Sequence, residues 1–188
     1  YLADYEAPNF SVECVELAFD LHEEDTIVRA ALSLRRQASG PLILDGEDLA
    51  LESISIDGNA LPPDAYTVSP SSLTIPNVPD EFTLRTDVRI QPQNNTKLEG
   101  LYKSSGNFCT QCEAEGFRRI TYFLDRPDVT SVYSVRIEAD RAKYLVLLSN
   151  GNLVDQGTAD QGRHWVEWHD PYPKPSYLFA LVAGDLAV

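Results

Sequence analysis

Methionine is absent from the 188 residues, histidine and cysteine occur three times each, and 15 basic residues face 29 acidic ones. Long apolar stretches are missing too, and each shortage excludes something. A chain without Met has no initiator, so a fragment or processed chain is expected. The net charge of −14 argues against nucleic acid and against an anionic membrane surface, which both select for clustered Lys and Arg. Partners are expected to be neutral or cationic. No run of about 18 apolar residues is present to make a membrane-spanning helix, and the N-terminus is polar and acidic where a signal peptide would be basic and then apolar. The odd set Cys14, Cys109 and Cys112 does not suit the paired framework of a secreted scaffold, so a reducing, cytoplasmic setting is expected.

What is there is the grammar of strands. Val12, Val15, Leu17, Phe19 and Leu21 fall mostly two apart with acids between them, which predicts a half-buried strand with one slip. After the polar turn His22-Glu23-Glu24-Asp25, a second strand is predicted from Thr26 to Arg35, making a hairpin. Further runs follow at 42–44, 49–56, 66–68, 72–75, 82–90, 132–139, 144–149, 154–158, 164–168 and 177–182. Between the earlier runs stand turn formers such as Asp57-Gly58-Asn59, Pro62-Pro63 and Pro76-Asn77-Val78-Pro79. Strands at this spacing, with 12 prolines and few helical periods, predict an all-β domain, an antiparallel sandwich or saddle, occupying the whole chain from 1 to 188. One stretch, Phe117 to Val129, is expected to be a short helix or irregular turn, since Ile120, Phe123 and Leu124 recur at three and four before Pro127. Trp165 and Trp168, three apart on a presumed strand, are expected on opposite faces.

The segment that breaks the alternation is Cys109-Thr110-Gln111-Cys112-Glu113-Ala114-Glu115-Gly116-Phe117-Arg118-Arg119, closely followed by Asp125-Arg126-Pro127-Asp128. Two thiols, several acids and paired bases stand there together. The pair Cys109 and Cys112 allows three readings. A structural zinc site would need two more ligands, of which only Cys14 remains among the cysteines. A thioredoxin-like redox pair belongs on a strand-to-helix turn in an α/β fold. Two ordinary buried or half-exposed thiols is the preferred reading. Glu113 and Glu115, taken alone, could be solvated carboxylates paired with Arg118 or Arg119.

The order Gln111, Glu113, Arg118, Asp125 and Pro127 resembles the pattern of zinc aminopeptidases of the aminopeptidase N family. The likeness extends from about Tyr5 to Val188 through Leu98-Glu99-Gly100-Leu101-Tyr102, Leu147-Leu148-Ser149-Asn150-Gly151-Asn152 and the stretch from Pro171 to Gly184. It covers only the N-terminal domain of such an enzyme. The resemblance implies that Glu113 holds the α-ammonium of a peptide substrate and that Gln111 lines the pocket for the first side chain. Glu115, Arg118 and Asp125 are left as structural pairs. It also implies one zinc ion in the full-length parent, bound by a catalytic domain absent from this chain. The His-Glu-x-x-His helix that would hold that ion is missing here: His22-Glu23 is followed by Thr26 where the second histidine should stand, and His164 and His169 have no suitably spaced acid and second ligand. No catalytic residue and no metal ligand is therefore assigned to this chain, which is expected to be inactive alone. The rival expectations are a non-enzymatic β-sandwich interaction module, and a thiol redox or metal module built on Cys109 and Cys112.

Overall fold

A computed structural model describes residues 5–186. Its strands run in chain order as β1 (Phe10–Leu21), β2 (Thr26–Arg36), β3 (Leu42–Asp45), β4 (Ala50–Ile56), β5 (Asn59–Ala60), β6 (Thr67–Val68), β7 (Ser72–Ile75) and β8 (Glu81–Ile90). The second half supplies β9 (Gly100–Ser104), β10 (Asn107–Gln111), β11 (Thr130–Asp140), β12 (Val146–Ser149), β13 (Asn152–Thr158), β14 (Arg163–Pro175) and β15 (Leu181–Gly184). They form an eight-stranded sheet in the order β13-β14-β11-β1-β2-β8-β4-β5, a four-stranded sheet β12-β15-β10-β9 and a three-stranded sheet β3-β7-β6. Pairing is antiparallel except between β1 and β11, which run parallel at the centre of the large sheet. The fold is all-β, as the alternation predicts.

The β1 slip is real. Its register against β2 shifts between Val12 and Cys14, so Val12 and Val15, though three apart, both reach the core. A bulge of this kind inserts one residue on one strand. Ser131, buried on the neighbouring β11, donates from its Oγ to the Val12 carbonyl at 2.6 Å. One core takes residues from all three sheets, including Leu17 and Phe19 of β1, Leu44 of β3, Leu73 of β7, Phe108 of β10 and Leu181 of β15.

Two expectations need correction at their edges. The strand predicted over 177–182 is a 3-10 turn, Ser176–Leu178, followed by β15, which begins only at Leu181. Asn150 causes the delay: its Nδ2 donates to the Leu178 carbonyl at 3.1 Å and its Oδ1 accepts from the Ala180 N–H at 2.7 Å, holding the link in a bent form. The strand predicted over 164–168 instead runs on to Pro175 as β14. Pro171 to Pro173 lie where the β11 to β14 register jumps, from Tyr133 opposite Asp170 to Ser131 opposite Lys174. Prolines, lacking a ladder donor, are accommodated at such irregularities. Trp165 and Trp168 do face opposite ways. Trp168 packs against the core and donates from Nε1 to the Leu147 carbonyl, while the Arg136 guanidinium lies 3.8 Å from the Trp165 ring centre.

Candidate functional site

Gln111 ends β10, a strand held by β9 on one side and by β15 on the other. After it the chain turns through Cys112 to Gly116 and enters a one-turn 3-10 helix at Phe117–Arg119. That is all the helix in the stretch predicted as helical or irregular. The turn then leads to Ile120, Phe123 and Leu124, all buried, and Asp45 and Phe123 exchange backbone hydrogen bonds at 2.8 and 3.0 Å.

The loop is fixed at both ends by burial. Cys112 at its start and Phe117 at its end are buried, whereas Glu113, Ala114 and Glu115 between them are exposed. Phe117 sits among Phe123, Tyr133 and Phe179, with ring centres 5.0, 6.1 and 5.3 Å away in edge-to-face contact, a favoured aromatic arrangement. The Gly116 N–H donates to the Cys112 carbonyl at 2.8 Å, closing the turn. Gly116 is a glycine for lack of room: a Cβ there would meet the Gln111 carbonyl oxygen at 2.3 Å and the Gly100 nitrogen at 2.9 Å. Gln111 Nε2 donates to the Glu113 carbonyl at 3.1 Å, so the two candidate substrate contacts share one local frame. The Glu113–Ala114 peptide is cis.

Around this frame the two acids differ. Glu115 lies 3.5 Å from Arg118, but Glu113 has no cation within ion-pair distance among the described residues. Arg118 belongs chiefly to Asp125, whose Oδ2 accepts from its backbone N–H and its Nε, both at 3.1 Å. The structural pairing expected of Glu115, Arg118 and Asp125 is present. Arg119, with little of its side chain exposed, reaches Glu47, Asp48 and Glu99 and ties the 45–49 and 95–100 segments to the turn.

Sequence reasoning missed the far ends of these contacts. Ser176 donates from Oγ to Asp125 Oδ1 at 2.6 Å across 51 residues, and Asp45 accepts from the Asp125 N–H at 3.1 Å across 80. Nothing in the local pattern around Ser176 or Asp45 marks them. Burial raises the Asp45 carboxyl above the ordinary carboxylate range, opposed by the Arg118 charge.

The two thiols stand in different surroundings. Cys109 is half-buried on β10, and burial, with the nearby Asp125 charge, pushes the Cys112 thiol far up. A redox or metal-binding thiol needs the opposite shift, toward thiolate. Among the described residues no group of three or more His, Cys, Asp or Glu side chains could hold a metal ion. A zinc centre does not fit the described residues.

Residues 14–178 match the Peptidase M1 N-terminal domain. An aminopeptidase N of Caulobacter vibrioides is 59% identical over 189 residues, covering 100% of this chain and 22% of that protein. Among solved structures, Legionella pneumophila aminopeptidase A in complex with aspartic acid superposes with a TM-score of 0.94 at 38% identity, covering 99% of this chain and 22% of that one. An M1 zinc metallopeptidase of Deinococcus radiodurans, bound to a Tyr-Ser-Ala substrate, shares the fold with a TM-score of 0.81 at 16% identity, over 95% of this chain and 43% of that one. The chain spans about a fifth of the length of the aminopeptidase N relatives of Caulobacter vibrioides, Escherichia coli and Haemophilus influenzae.

Proposed function

Since the chain belongs to the peptidase M1 family as its N-terminal domain, we propose that it supplies the amine-anchoring and first-residue contacts of an aminopeptidase whose other domains carry the hydrolytic centre. The observation that carries this reading is the carboxylate of Glu113, which has no cation partner among the described residues and is held out on a loop fastened at both ends while its neighbour Glu115 is engaged by Arg118.

A peptide's α-amine is largely protonated near neutral pH, and a charge-assisted hydrogen bond to a carboxylate is among the stronger polar contacts available. Glu113 would receive that ammonium. Gln111 has its Nε2 committed to the Glu113 backbone, which leaves its Oε1 and side-chain stem to border the first side chain. Fixing the amine limits how much peptide fits between it and the point of cleavage, and that geometry makes an exopeptidase. Such binding energy serves orientation. Zinc, the metal implied by the family, would supply Lewis-acid polarisation and a bound water in the remainder of the protein; the residues described here form no ligand set for it.

The test is Glu113→Gln in the full-length protein, which keeps shape and removes charge. We expect kcat/KM on an aminoacyl reporter to fall by about two to four decades, the scale of breaking an ion pair in a partly desolvated cleft. Glu115→Gln should lose about one decade at most, as for an exposed pair. Near-normal kcat/KM for Glu113→Gln, or equal losses in both variants with loss of fold, would refute the assignment.

A further inference from the structure

Asp125 is nearly fully buried, yet it is an acid, and every polar atom it has is used. Oδ2 accepts from the Arg118 backbone N–H and from Nε, Oδ1 accepts from Ser176 Oγ, its N–H donates to Asp45 Oδ2, and its carbonyl accepts from Arg118 Nη2 at 3.3 Å. A buried carboxylate is costly to desolvate, and well-packed apolar side chains often hold a fold at least as well. What a carboxylate adds is direction. This one fixes three chain segments relative to one another: the turn after the Glu113 loop, the end of β3, and the link between β14 and β15.

Both routes from Asp125 lead back to Glu113. Through Arg118 they run to Gly116, where there is no space for a Cβ against the Gln111 carbonyl and the Cys112 Cα. Through Ser176 they run into β15, whose Ala183 and Val182 pair with Phe108 and Cys109 of β10, the strand that ends at Gln111. Thr110, next to Gln111, closes the same junction by accepting from the Leu181 N–H at 2.8 Å.

We propose that Asp125, through Arg118 and Ser176, is the positioning residue that sets the Glu113 carboxylate and the Gln111 side chain at the angle needed to receive a primary ammonium group. The proposal rests on the reading of Glu113 as amine anchor, and it assigns Asp125 no contact with substrate.

The experiment measures binding of L-alaninamide, and of propanamide, which lacks the amine, to the full-length protein by calorimetry, with melting temperatures in parallel. Variants are Glu113→Gln, Asp125→Asn, Ser176→Ala and the double variant Asp125→Asn/Glu113→Gln. Glu113→Gln should weaken L-alaninamide by about tenfold to a hundredfold and leave propanamide unchanged. Asp125→Asn and Ser176→Ala should weaken L-alaninamide by about fivefold or more, again sparing propanamide, and Asp125→Asn should add nothing once Glu113 is Gln. That lack of additivity is the mark of acting through Glu113. The proposal is overturned if Asp125→Asn and Ser176→Ala only lower the melting temperature, if they weaken both ligands equally, or if the loss in Asp125→Asn adds in full to that of Glu113→Gln. Should Asp125→Asn not fold, Ser176→Ala decides alone, since it removes a single hydrogen bond. If Glu113→Gln itself binds L-alaninamide normally, the anchor reading fails and this proposal fails with it; a loss in Glu113→Gln with none in the other two sinks the positioning role alone.

Discussion

Cys112 looks in the sequence like half of a reactive pair, and its surroundings make it inert. Enclosed beside Asp125, its thiol is held protonated well past the ordinary range, first by burial and then by that charge. The consequence is a dependence of stability on alkaline pH. In the unfolded chain the thiol ionises near pH ~8.5, while in the folded chain it keeps its proton, so the unfolded state binds fewer protons above that point. Stability is then whole below about pH 8.5 and declines above it, by up to about 1.4 kcal/mol per pH unit for one such group. Tyr133, buried nearby, acts in the same sense at higher pH, whereas Lys174, whose ammonium is held below its ordinary pKa by burial, acts in the opposite sense. Comparing Cys112→Ala with the parent chain isolates the thiol: denaturant unfolding between pH 7 and 10 should show a shallower alkaline decline in the variant. Identical slopes would mean that the thiol is not shielded as the packing indicates.

At the scale of the element, the 3-10 turn at Phe117–Arg119 acts as a clasp. Its one buried ring fills the space between Phe123, Tyr133 and Phe179, and its two largely covered arginines reach the acids of three other segments. Phe117→Ala should cost about 3–5 kcal/mol, the range for emptying a large core site, and it should loosen the Cys112 to Gly116 loop more than the distant β2–β8 ladder. Hydrogen exchange would resolve the two, and uniform loss of protection across both would show that the clasp has no local role. Arg119→Ala removes up to three ion pairs whose acids are partly exposed, and should cost on the order of 1–3 kcal/mol, shrinking as salt is added. Thermal melts at low and high ionic strength check it.

For the molecule as a whole, one core unites three sheets, so the 188-residue chain is expected to fold cooperatively by itself. It should neither hold zinc stoichiometrically nor cleave aminoacyl reporters, because its His, Cys, Asp and Glu side chains do not converge on a metal site among the described residues. Metal analysis after dialysis tests this. One tightly held zinc per chain, lost on replacing Cys109 and Cys112, would restore the metal-module alternative.

The period-two alternation is a local property, because side chains on successive strand residues point to opposite faces whatever the partner. It therefore revealed the all-β class, the β1 bulge, the opposed faces of Trp165 and Trp168, and the buried face of β1. The proposal that Gln111 and Glu113 contact substrate comes from resemblance to a family, since spacing alone could not separate Glu113 from Glu115. The tertiary structure decided the rest. It set β1 parallel to β11, a pairing between strands more than a hundred residues apart that no local pattern encodes. It bent the chain at Ser176–Leu178 through an asparagine that reads as ordinary loop. It also gave Glu115 a cation and left Glu113 without one among the described residues, because what neutralises a charge is the residue nearest in space, and Asp45, Asp125 and Ser176 become neighbours only once the sheets have closed on one core.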